Sequence, residues 1–172
     1  TIFFSVQFIG VFILTLQHLP LGMATVKVIA GWMSAAILGM TRSNLKNEPD
    51  KSEEQSILPQ GRFFRIIAAS IVALVALTGA PFASSMMADA GLAVAGGSLM
   101  LIGMGLLQLG ITGQILRVTI GLITVLSGFE ILYAAIESSV LVAALLAVIN
   151  LGLALIGSYL MVASDARETE SA

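Results

Sequence analysis

A chain of 172 residues that is 58% hydrophobic and 10% charged, with a mean hydropathy of +1.01, is not composed for water, since soluble domains carry roughly 25% charged residues. The formal charge of −2, zero cysteines and one histidine weigh against nucleic acid as a partner and against iron–sulfur clusters, disulfides and ordinary zinc sites, so no cofactor and no metal is expected. A span takes about 20 mostly apolar residues, so the chain has room for six spans and no soluble domain. The expectation is an all-α integral membrane protein, an antiparallel bundle of about six transmembrane helices over residues 1–164 with a polar tail at 165–172.

The first apolar run covers 2–16. It has no basic n-region and no A-x-A cleavage site, so it reads as a span and not as a signal peptide. Its shortness, and the lack of an initiating Met, predict further residues ahead of Thr1. His18 falls in the turn before Pro20, where an exposed histidine is expected.

The second run, 21–40, carries Lys27 about seven residues in, a depth of about 10 Å at 1.5 Å per residue. Gly31, Ala35 and Gly39 continue from Lys27 at i+4 spacing, the small-xxx-small pattern that brings a neighbouring helix close. Lys27 then either faces protein as a charge partner or snorkels to the interface. Trp32 is too deep for an interfacial belt and is expected to pack within the bundle.

Residues 41–62 are polar, of mixed charge and interrupted by Pro49 and Pro59, which predicts an extramembrane loop. The third run, 63–80, is closed by Pro81, and a connection is expected over Pro81 to Ala90. The fourth, 91–111, places Gly97, Gly105 and Gln108 on one side, a close-packing face with one polar clasp.

The fifth run, 116–136, contains Glu130 in Ile120-Gly-Leu-Ile-Thr-Val-Leu-Ser-Gly-Phe-Glu130. An ionisable residue inside a span costs roughly 2.5–3.5 kcal/mol on insertion scales, which makes it a functional candidate. Ser127, Glu130, Tyr133, Ala134 and Glu137 recur at i+3 and i+4, so two carboxyl groups lie on one stripe about 10 Å apart. Lys27, Glu130 and Glu137 are therefore the proton-relay candidates. For Glu130 the other reading is a neutral side chain hydrogen-bonded for packing, and for Glu137 an exposed residue at the outer turn.

The sixth run, 140–163, bears a second small-residue stripe, Ala143, Ala147, Asn150, Ala154 and Gly157. It predicts close helix packing with Asn150 as a clasp. No Ser/His/Asp arrangement, phosphate-binding glycine loop or metal-ligand cluster occurs, so catalysis by this chain alone is not expected.

The segment Leu106-Leu-Gln-Leu-Gly-Ile-Thr-Gly-Gln-Ile-Leu-Arg117-Val-Thr-Ile-Gly121 through Glu130 has a distinctive order: an apolar helix, a tight turn, a basic residue, Ile-Gly-Leu, then a membrane-embedded Glu. It resembles the small 4L-type membrane subunit of complex I and its longer relatives in Mrp-type antiporters and membrane-bound hydrogenases. The resemblance covers about the last third of the chain. It implies that Glu130 belongs to a row of charged groups carrying protons along a membrane arm, among other membrane subunits as partners. The family's small subunit has three spans and a second Glu in the following helix, where this chain has Asn150; that second role is not carried over to Glu137.

With six spans, Arg42, Lys46, Lys51, Arg62, Arg65, Arg117 and Arg167 all fall on one side, opposite His18, Asp89 and Glu137. The positive-inside rule places both termini in the cytoplasm of a bacterial-type membrane. The expected function is that of a non-catalytic membrane subunit of a larger proton- or cation-translocating redox complex. The alternatives are a purely structural or assembly subunit, and a small autonomous transporter; the lack of a convincing internal repeat counts against the last.

Overall fold

The computed structural model describes residues 21–45, 62–86, 91–136 and 139–170. The first run at 2–16 and most of the loop at 41–62 lie outside them. Every regular element among the described residues is a helix, as hydrocarbon demands of a spanning segment, because each backbone N–H and C=O must then find its partner within the segment.

The helices are α1 (Leu21–Asn44), α2 (Arg62–Met86), α3 (Leu92–Ile111), α4 (Ile115–Ile136) and α5 (Val140–Glu170). Four stretches, Phe63–Met86, Leu92–Ile111, Ile115–Ile136 and Val140–Arg167, are long and apolar enough to cross a membrane. The protein is thus a helical, multi-pass membrane protein.

Consecutive helices from α2 to α5 run in opposite directions, and the close approaches show it. Gly103 faces Val72 while Gly96 faces Ala80 across α2 and α3. Gly105 faces Val125 while Gly128 faces Ile102 and the Ser98 carbonyl across α3 and α4. Thr119 fits against Gly157, and Glu130 meets Asn150, across α4 and α5. The α3–α4 turn is three residues, Thr112 to Gln114, and Gln108 Nε2 spans it to donate to the Arg117 carbonyl at 2.9 Å. Gln108 is thus the clasp its position suggests.

α1 departs from this order, because it packs on α5 and not on its sequence neighbour. The Thr41 and Ser158 hydroxyls hydrogen-bond to each other, and Ala35 and Leu38 join Ile123, Ala154 and Met161 in the larger apolar core. A second core forms between α3 and α4 from Val94, Ile131 and Ala135. α4 is the central helix, flanked by α3 and α5.

Three expectations need correction. Pro81 does not end its helix: α2 continues to Met86. Proline removes one backbone donor, but Pro81 is exposed, and the turn beyond it is held by Ser84 Oγ and Ser85 Oγ donating to the carbonyls of Pro81 and Phe82 at 2.9 and 2.7 Å. α5 does not end at Ala163 but runs to Glu170, since no Gly or Pro after Gly157 stops it. Trp32 is 53% exposed and lies on the outer apolar face of α1, because the small residues Gly31, Ser34 and Ala35 take the inner face.

Candidate functional site

Glu130 and Asn150 form the one hydrogen-bonded pair of buried side chains that joins α4 to α5 among the contacts described. Glu130 lies six residues before the end of α4, and Asn150 ten residues into α5. Because α4 and α5 run in opposite directions, the two lie at the same level. Asn150 Nδ2 donates to Glu130 Oε1 at 2.8 Å, and each residue is 3% exposed.

The surroundings on α4 are small and polar. Ser127 is fully buried and Thr124 nearly so. Both hydroxyls donate to carbonyls on their own helix, Ser127 to Ile123 and Thr124 to Ile120, each at 2.8 Å. Their protons are thereby committed inside the helix. Gly128 lets the α3 backbone come close: a Cβ there would stand 2.8 Å from the Ser98 carbonyl oxygen. This close approach excludes lipid from the stretch of α4 leading to Glu130.

The other end of the Asn150 amide, Oδ1, is buried and has no hydrogen-bond partner among the described residues. Buried polar atoms in folded proteins are nearly always paired, so an orphaned acceptor beside a carboxyl group calls for an explanation.

Of the proton-relay candidates, Glu130 is buried as its stripe predicts. Ser127 and Ala134 share its burial, and Tyr133 is partly buried. Glu137 lies outside the described residues. Lys27 is on α1, but its side chain also lies outside the described residues. Among the described residues no group of three His, Cys, Asp or Glu side chains could hold a metal ion.

Gly31 and Ala35 are buried and Gly39 half-buried on α1. On α5, Asn150, Ala154 and Gly157 are buried, with Ala143 and Ala147 half-buried. What the sequence reading missed is that Asn150 serves Glu130. The signal was present: in a hairpin folded near residue 140, positions 130 and 150 are equidistant from the turn. Gly121 and Gly128 on α4 were also missed, although their seven-residue spacing places them on one face.

Comparisons with family models, with curated proteins and with solved structures give no match to this chain.

Proposed function

We propose that the protein is a non-catalytic membrane subunit of a larger proton- or cation-translocating assembly, with Glu130 as a protonatable relay group. The carrying observation is the Glu130–Asn150 pair, a carboxyl group 3% exposed within a span and hydrogen-bonded to an amide on the facing helix. A buried ionisable group in a membrane helix is costly and is retained where protons or ions move. The resemblance of the Leu106 to Glu130 segment to the 4L-type subunit of complex I and to Mrp and hydrogenase relatives points the same way. In this reading residues 2–16 supply a sixth span, and both termini face the cytoplasm of a bacterial membrane.

Replacing Glu130 with Gln in the intact membrane assembly tests this. The Gln carbonyl still accepts from Asn150, so the fold is kept while the titrating proton is removed. The expected result is a tenfold or greater loss of proton movement with normal assembly. Unchanged proton movement and unchanged redox turnover would sink the relay role.

A second reading, a structural or assembly subunit, is favoured by α2, whose neighbour among the described helices is α3 and whose remaining faces present Phe63, Ile71, Leu74, Leu77 and Phe82 outward. Loss of partner subunits from the complex after E130Q, with per-complex proton movement intact, would support it instead.

A further inference from the structure

A primary amide carries a donor and an acceptor side by side, whereas a carboxylate offers acceptors only and a carboxylic acid adds one donor. Glu130 as a carboxylate can therefore satisfy Asn150 Nδ2 and never Oδ1. The observed bond from Nδ2 to Oε1 at 2.8 Å, with Oδ1 buried and unpartnered, is half of the pairing this amide can make. Turning the amide by half a revolution does not help, because Oδ1 would then meet a carboxyl oxygen that needs a proton to bond it. The nearby hydroxyls of Ser127 and Thr124 give their protons to their own helix.

We propose that Asn150 is the positioning residue whose Oδ1 accepts a hydrogen bond from Glu130 when Glu130 is protonated. When Glu130 is protonated, its new O–H donates to Asn150 Oδ1 while Nδ2 continues to donate to the other carboxyl oxygen. When the proton leaves, Oδ1 loses its donor and one hydrogen bond remains. Only a proton is exchanged: an O–H bond forms on Glu130 on uptake and breaks on release. The amide thus couples the tie between α4 and α5 to the protonation of a residue on α4, with two bonds in one state and one in the other. This rests on the reading of Glu130 as a protonatable group.

α3 has no titratable residue. On α5 the group Tyr159, Asp165, Arg167, Glu168 and Glu170 lies toward the far end, and on α4 Arg117 does too, leaving Tyr133 one turn from Glu130. α1 carries Lys27 and, at its other end, Arg42.

Infrared difference spectroscopy of the full chain in phosphatidylcholine bilayers, stepped between high and low pH, tests the proposal. The chain has only three asparagines, Asn44, Asn47 and Asn150, so carbon-13 labelling of asparagine isolates few amides. Acidification is expected to raise an acid carbonyl band that is absent in E130Q, together with a shift of the labelled asparagine carbonyl that is also absent in E130Q. In Asn150→Leu the acid band is expected to move to higher frequency as its hydrogen bond is lost. An acid band dependent on Glu130 but unaltered in N150L, with no asparagine shift in the unmutated chain, would overturn the role of Asn150 and leave Glu130 protonatable. Absence of any acid band dependent on Glu130 would overturn the protonatable reading itself. The isotope measurement uses the unmutated chain, so it decides the matter even where N150L does not fold.

Discussion

Gly157 shows how closely single residues are matched in this bundle. A Cβ built there would collide with the Thr119 side chain on the facing helix, so even alanine requires α4 and α5 to move apart. Overpacking of this kind costs about 1–3 kcal/mol. Gly157→Ala is therefore expected to lower the thermal midpoint of the detergent-solubilised chain. Thr119→Ala in the same chain should restore most of the loss, and a double-mutant cycle without such coupling would contradict the contact. The glycine was legible in the sequence as part of a small-residue stripe, but its partner was not, because a stripe states that something comes close without stating what. The same holds for Glu130: its burial followed from the apolar run around it, while its bond to Asn150 depends on where the hairpin folds.

Among the elements, α2 and α3 are joined by a seam of small residues, with Gly79 under Leu99, Gly96 against Ala80 and Gly103 against Val72. A Cβ at Gly96 would stand 3.4 Å from the Ala80 Cβ, near the usual Cβ separation in disulfides of about 3.5–4.5 Å. The chain has no cysteine of its own, so the double substitution Ala80→Cys and Gly96→Cys is expected to oxidise to a disulfide within one molecule. Thiol titration would read it, and two persistently free thiols would mean that the register of α2 on α3 is wrong. Helix identity was well marked by apolar runs, and the ends less so. Pro81 was read as a stop because a proline usually breaks the backbone ladder, yet on the exposed side of α2 it removes one bond and the helix continues. The polar last turns of α5, with Asp165 and Arg167, were read as tail because the apolar run ends, although helix formation needs no apolar run once the preceding turns are set.

For the whole molecule, the alternation of α2 to α5 brings exposed Arg42, Arg65, Arg117 and Arg167 to one end of the bundle, as the loop spacing suggested. Single cysteines placed at Arg42, Arg117 and Arg167 are expected to react with an impermeant thiol reagent from the same face of sealed vesicles. A cysteine at Ser139 is expected to react from the other face. Labelling of positions 117 and 167 from opposite faces would contradict the course of the chain described here. The helical, multi-pass character and the basic end were readable from composition and spacing, whereas the pairing of α1 with α5 was not. That contact joins residues more than a hundred positions apart, and the small-residue stripes on the two helices carried no sign that each was meant for the other.

The attachment of α1 to α5 has a consequence for biogenesis. During synthesis α3, α4 and α5 can each settle against the helix made just before, whereas α5, the described partner of α1, is made after α2, α3 and α4. Until residues 140–170 are translated, α1 lacks this neighbour, while the Ser34 and Thr41 hydroxyls are held by the Ala30 and Ile37 carbonyls of α1 itself. Synthesis of α5 is thus the event that secures α1.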